Sequence, residues 1–283
     1  METPTTPTTP RALLAEVPRC RLLGVWVSAL TVERFYALIR AAVTTRQRCI
    51  IGNHNVHSVA LHHRHAAMRV FYALADAVFI DGMPLVAWGR LMGLPLRRAN
   101  RFTSVDWLPP LLRTAASEGW RVYYLGGTPE VAERGAQIVR ERFAGLAFTA
   151  RHGYFDADDA AANRAIVEAI NAWGADVLLV GMGMPRQERW LAAHAAALRA
   201  PCMLPVGAAL DYIAGALPTP PRTMSRLGLE WLARLVAEPR RLGHRYLVEP
   251  WGLLPFMLAD VRARVRGELH CTPSHTAREA ARD

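Results

Sequence analysis

The chain has 283 residues, 52% of them hydrophobic and 20% charged, which is enough apolar material for a substantial core and too much for a chain that stays disordered in water. No short period recurs, which excludes a fibre. The formal net charge is +10 and all 34 basic residues are arginine; a GC-rich coding bias would explain arginine in place of lysine but not the net excess, so the surface favours an anionic partner.

Residues 1–20, rich in Thr and Pro and without the apolar run of a secretory signal, read as a flexible tail. From Arg21 onward, short apolar runs alternate with longer amphipathic ones. Strands are expected at residues 22–27, 49–52, 77–80, 121–125, 177–180 and 202–206, and helices at 31–43, 57–75, 84–91, 105–118, 129–143, 160–173 and 186–198. Six strands joined by crossovers predict an α/β fold, a mostly parallel sheet flanked by helices in a Rossmann-like core over residues 21–218. A Pro-rich connector after Leu217 opens a basic amphipathic helical appendage at 219–267, followed by a polar tail at 268–283. Cys20, Cys49, Cys202 and Cys271 are scattered without C-x-x-C spacing, so neither a disulfide framework nor a zinc site is expected, and a reducing compartment fits. No run reaches the roughly 18 apolar residues that span a bilayer. Residues 247–261 come nearest, interrupted by Glu249, two prolines and Asp260, and suit a membrane surface rather than a crossing.

Ligands of open parallel sheets collect at the carboxyl ends of strands, and four turns there are unusual. Gly52-Asn53-His54-Asn55-Val56-His57-Ser58 is a polar cluster after a strand, equally suited to N-cap chemistry. In Ile80-Asp81-Gly82-Met83-Pro84 a carboxylate ends a strand, where it serves either as a helix cap or as a general base held by a rigid scaffold. Leu125-Gly126-Gly127-Thr128 lets a phosphate approach the backbone or simply forms a tight turn, and it lacks the G-x-G-x-x-G fingerprint. Val180-Gly181-Met182-Gly183-Met184-Pro185-Arg186-Gln187-Glu188 brings polar groups into the first turn of a helix.

These blocks, followed in order by Gly207-Ala208-Ala209-Leu210-Asp211-Tyr212-Ile213-Ala214-Gly215 and by Gly228-Leu229-Glu230-Trp231, Arg234, Glu238-Pro239, Arg241 and Arg245-Tyr246, resemble the WecG/TagA/CpsF glycosyltransferases over about residues 22 to 248. The resemblance implies an inverting transfer of a sugar (N-acetylmannosamine, its uronic acid or a hexose) from a UDP-sugar to a polyprenyl-diphosphate-linked sugar. It implies bacterial surface polysaccharide biosynthesis on the cytoplasmic, inner face of the plasma membrane, where the appendage helps to close the site. The family's catalytic base falls on Asp81. Arg101, Gln187 and Asn55 match polar site positions, and Asn53 and Asp211 fall among the substrate-binding blocks. The turns Gly126-Gly127 and Gly181 to Gly183 would cradle the nucleotide. Arg234, Arg241 and Arg245 match residues that offset the leaving diphosphate, since bidentate guanidinium contacts suit phosphate. By this resemblance arginines rather than a metal would offset the diphosphate charge, so no metal or other cofactor is expected.

The chain departs from the family pattern in four places. Asn53 stands where Thr is common, Asn100 and Ser104 replace an acidic residue and a glycine around Arg101, Thr219 stands where arginine is usual, and His244 replaces another arginine. Between residues 222 and 266, nine arginines face four acidic residues, interleaved with Trp231, Tyr246, Trp251 and several leucines, a composition suited to an anionic membrane surface and also to a solvated helix face. Nucleic-acid binding, the other usual reading of a basic pI, lacks any recognised motif, so no nucleic-acid partner is expected. A nicotinamide-binding fold lacks its glycine fingerprint, and a catalytically inactive scaffold sits poorly with Asp81, Gln187 and Arg234. The oligomeric state stays open, a homo-oligomer included.

Overall fold

The computed structural model describes residues 8–218, 224 and 230–273. The segment read as a tail folds from Thr9, whose Oγ1 accepts the Ala12 N–H at 3.2 Å and caps helix α1 (Pro10–Ala15); Leu14 and Val17 then enter the core. The run expected as one strand at 22–27 is instead an antiparallel hairpin of β1 (Pro18–Leu22) and β2 (Val25–Ser28). Its turn is Leu23-Gly24, with φ of +50° and +74°, the pair of left-handed residues that suits a two-residue hairpin. A leucine in that position kept the sequence uniformly apolar and hid the turn.

The α/β core follows as α2 (Val32–Thr45), β3 (Cys49–His54), α3 (Val56–Arg64), α4 (Ala66–Leu74), β4 (Ala77–Ile80), α5 (Met83–Leu91), α6 (Ser104–Glu118), β5 (Arg121–Gly126), α7 (Pro129–Arg142), β6 (Ala147–Arg151), α8 (Ala160–Trp173), β7 (Val177–Gly181), α9 (Arg186–His194), β8 (Cys202–Pro205) and α10 (Ala209–Ile213). The helix expected at 57–75 breaks at His65, which is extended (φ −119°, ψ 122°). Strand β6 had no counterpart in the pattern: it is an edge strand, and of its residues only Phe148 is buried.

Among the described residues the main sheet has six strands, all parallel, in the order β4-β3-β8-β7-β5-β6, so the Rossmann-like core is present. Both faces are covered, which is why its strands read as unbroken apolar runs. Along β7, Val177 and Leu179 join a core with Phe35, Trp107 and Val139, while Leu178 and Val180 join Phe71, Ile166 and Trp190 on the other side. Each buried side chain of this size contributes roughly 1.5–3 kcal/mol.

The appendage consists of α11 (Glu230–Ala237), α12 (Pro239–Gly243), a π-helical turn at His244–Val248, a 3-10 turn at Glu249–Leu253 and α13 (Leu254–Val265). It is fastened to the core. Asp260, buried on α13, accepts the Leu23 N–H at 2.7 Å and the Trp88 indole N–H at 2.8 Å, and Phe256 stacks on His63 with ring centroids 3.5 Å apart. The segment expected as a polar tail contains β9 (Cys271–Pro273), which pairs antiparallel with β1. There the cysteine expectation is corrected: Cys20 and Cys271 face each other in register with Cα atoms 4.1 Å apart and form a disulfide. A separation of 251 residues carries no local spacing signal, so only the tertiary pairing reveals it.

Candidate active site

The four turns that the sequence singled out end β3, β4, β5 and β7, and the Gly207 block ends β8, between β3 and β7 in the sheet. At the end of β3, Asn55 is the N-cap of α3. Its Oδ1 accepts the Ser58 N–H at 3.0 Å, while Ser58 Oγ accepts the Asn55 N–H at 2.8 Å, a reciprocal cap. With Oδ1 committed to the helix, Nδ2 is left to point away, and it donates to Asp81 Oδ2 at 3.1 Å. Asn55 is thus both a cap and a site residue. Asp81 follows β4, its own N–H bonded to the His54 carbonyl at 2.8 Å. Arg101 Nε donates to the Asp81 carbonyl at 3.0 Å, next to a short parallel bridge between Ile80 and Arg101.

Two cavities meet at Asp81. The smaller, about 340 Å³, is lined by apolar and aromatic groups including Val56, Met83, Pro84, Trp231 and Tyr246, with Arg101 and Thr103. The larger, about 430 Å³, runs over the strand ends past Asn53, Gly183, Gln187, Gly207 and His244. Asn55, His57, Asp81, Arg234 and Arg245 line both. Arg234 and Arg245 come from the appendage, which therefore supplies a wall of the site. Arg234 lies over the Tyr212 ring, 5.3 Å from its centroid. Burial lowers the pKa of Arg245 and so does neighbouring Arg234, against the opposing pull of Tyr246, Asp81 and Glu249. A larger groove of about 1180 Å³ lies elsewhere, between residues 65–67, α8 and α9. Of the four singled-out turns it touches only Pro185 and Arg186 and none of Asn55, Asp81 or Gln187, so size does not mark the site.

The other singled-out residues sort by geometry. Gln187, buried at the start of α9, accepts the Gly207 N–H through Oε1 at 3.1 Å and donates from Nε2 to Glu188 at 2.8 Å, tying the turn after β7 to the turn after β8. The glycines divide: a Cβ on Gly126 would lie 2.1 Å from the Gly181 carbonyl oxygen, one on Gly181 would lie 1.9 Å from the Tyr124 hydroxyl, and one on Gly127 would lie 2.7 Å from Val131. Their missing side chains are taken up by the protein's own packing, and none of the three lines either cavity. Gly183 (φ +76°) and Gly207 (φ +57°) have open space at that position and do line the larger one. Asp211 sits on α10 with its carbonyl accepting the Ala216 and Leu217 N–H groups, outside both linings. The side chain of Arg241, and Thr219 altogether, lie outside the described residues. Asn100, one of the departures, ties its loop down: it accepts the Arg97 N–H and donates to the Ala29 and Leu30 carbonyls.

Among the described residues no group of three or more His, Cys, Asp or Glu side chains is arranged to hold a metal ion. No helix among them is long and apolar enough to cross a membrane.

Behind Gln187, Glu188 is fully buried, and its Oε2 has no hydrogen-bond partner among the described residues. Burial pushes its carboxyl up to about 7, against the lowering effect of the Gln187 hydrogen bond. The folded protein therefore holds a proton that the unfolded chain releases near the ordinary carboxylate value, and this contribution to stability is lost as pH rises from there through about 7. Glu188→Gln should flatten the dependence: between about pH 5 and about pH 8 the urea midpoint of the parent should fall relative to that of the variant. Parallel curves would show that the buried proton is not held.

The site is thus a strand-end carboxylate between two cavities, with guanidinium groups on their common wall. The Glycosyl transferase WecG/TagA/CpsF family is matched over residues 20–267, and the chain belongs to it. It is similar to the N-acetylglucosaminyldiphosphoundecaprenol N-acetyl-beta-D-mannosaminyltransferases of Staphylococcus aureus strains NCTC 8325 / PS 47 and COL, at 30% identity over 169 residues in each case. The matched stretch covers 60% of this chain and 64% of those proteins, less than two thirds of their length.

His57 and Glu249 were missed as site residues. His57 was visible in the polar cluster after β3, but its partner is 192 residues away.

Proposed function

We propose that this protein is an inverting glycosyltransferase that moves a sugar from a UDP-sugar to a polyprenyl-diphosphate-linked sugar; the names of its relatives describe an N-acetyl-beta-D-mannosaminyltransferase acting on N-acetylglucosaminyldiphosphoundecaprenol. The observation that carries this reading is the position of Asp81 between two cavities that share a wall with Arg234 and Arg245. An inverting displacement brings the nucleophile and the leaving group to opposite sides of the anomeric carbon, and two cavities meeting at one carboxylate suit that geometry. Asp81 takes the proton from the acceptor hydroxyl as its oxygen attacks. The bond to the UDP phosphate oxygen breaks, and the arginines balance the charge left on the diphosphate, a role that needs no metal. The larger cavity, with its open turns at Gly183 and Gly207 and the polar edges of Asn53 and Gln187, suits the nucleotide. The smaller, with Trp231, Tyr246 and Met83, suits the acceptor sugar and the start of its lipid.

The appendage supports a peripheral position on an anionic membrane at the inner face of the cell envelope. Among the described residues, ten of the fourteen exposed large hydrophobics fall from Trp231 to Val265, with Trp251 at 68% and Val265 at 83% exposure. Arg262, Arg264 and Arg266 lie beside them. Apolar side chains with adjacent arginines suit a headgroup boundary.

The test supplies a panel of UDP-sugars and a polyprenyl-diphosphate N-acetylglucosamine acceptor in vesicles containing anionic lipid, with and without EDTA. UDP release coupled to acceptor elongation is expected, undiminished by EDTA, with the protein sedimenting with the vesicles. Absence of turnover with every donor would overturn the transferase reading, and protein left in the supernatant would overturn the membrane reading.

A further inference from the structure

His57 lies on the first turn of α3, and its ring is on the wall common to both cavities. Its Nδ1 contacts Glu249 Oε2. Glu249 belongs to the appendage and is 4% exposed, and its other oxygen accepts Arg64 Nη1 at 3.3 Å. His57 and Arg64 are seven residues apart, two turns along one face of α3, which is why a single carboxylate reaches both.

A carboxylate only accepts, so the contact puts the proton on Nδ1 and the lone pair on Nε2. Nε2 has no hydrogen-bond partner among the described residues, and 20% of the side chain is still exposed, so the unused edge of the ring belongs to the cavities. The charged groups around it are Asp81, Arg234 and Arg245 on the common wall, with Glu249 and Arg64 behind. Burial lowers the pKa of the ring, as do Arg245 and Arg64, while Glu249 opposes them. These groups together favour the neutral imidazole that can accept a hydrogen bond.

We propose that His57, held in one tautomer by Glu249, is a substrate-binding residue whose Nε2 accepts a hydrogen bond from a sugar hydroxyl or acetamido N–H at the junction of the two cavities. This inference rests on the transferase reading of the site. It gives Glu249 a positioning role and makes docking of the appendage a condition for reading the sugar.

Two amide variants separate this role from a mere latch. In His57→Asn the short amide can still donate to Glu249 but no longer reaches the cavity; in His57→Gln the longer amide reaches the Nε2 position but gives up the Glu249 contact. With the wild-type enzyme as reference, kcat/KM for the sugar donor and acceptor and the thermal midpoint are measured for both. The expected result is that His57→Asn keeps its thermal midpoint and loses roughly 10-fold or more in kcat/KM, while His57→Gln recovers part of that loss. Glu249→Ala should approach the His57→Asn value, and the double variant should add little. Activity that follows the thermal midpoint, with His57→Asn near wild type and His57→Gln impaired, would overturn the proposal and leave a structural latch. A wild-type enzyme without turnover would instead point to failure of the transferase reading itself, which the parent protein alone reports.

Discussion

Replacing Asp81 by Asn is expected to reduce turnover by roughly 10²–10⁴-fold, the usual contribution of a positioned general base. The substitution preserves size and shape, and the new amide keeps an oxygen that can accept from Asn55 Nδ2, the 3.1 Å bond of the parent. The N–H to His54 and the carbonyl bond from Arg101 belong to the backbone and survive. What disappears is the capacity to take a proton. Donor binding, followed by titration with UDP, should therefore stay within a few-fold of the parent while kcat and kcat/KM fall together. Full turnover in Asp81→Asn would remove Asp81 from the role of base. A loss confined to donor affinity would make it a binding residue.

Arg245→Ala should cost about 10²–10³-fold in kcat, the scale seen when a preorganised group facing developing charge is removed. Both shared arginines lie over a tyrosine ring, Arg234 over Tyr212 and Arg245 over Tyr246, so an alanine variant of either mixes packing with electrostatics. Arg245→Lys should recover only part of the activity, since an ammonium retains the charge but not the planar fork that matches a diphosphate. The measurement is single-turnover kinetics at saturating donor, together with the affinity for UDP. An unchanged rate in Arg245→Ala would mean that the leaving group departs elsewhere. A restored rate in Arg245→Lys would mean that charge alone suffices.

The main sheet was legible because both of its faces are buried: runs such as Val177–Gly181 have no solvent side and so no polar alternation. The strand-end positions of Asp81, Asn55 and Gln187 followed from the same pattern, because a polar cluster directly after an apolar run marks the exposed edge of a parallel sheet. Features that depend on residues far apart were not legible. Cys20 with Cys271, His57 with Glu249 and Leu23 with Asp260 are each joined only by the return of the chain. Local conformation misled in one place, where a left-handed leucine made a hairpin look like a strand; of the glycines at the ends of β5 and β7, Gly126 and Gly181 let two strands touch while Gly183 lines the larger cavity. Asn53, His54 and Asn55 show a further limit, since cap and site chemistry use the same residue types and only the direction of Asn55 Nδ2 separates them.

The return of the chain through β9 gives the appendage a mechanical character. Its C-terminal end is fixed to β1 by paired backbone and by the Cys20–Cys271 bond. Its middle is held as well, by Asp260 to Leu23 and Trp88 and by Glu249 to His57 and Arg64. Arg234 and Arg245 belong to that segment, so the same fastenings set the width of both cavities.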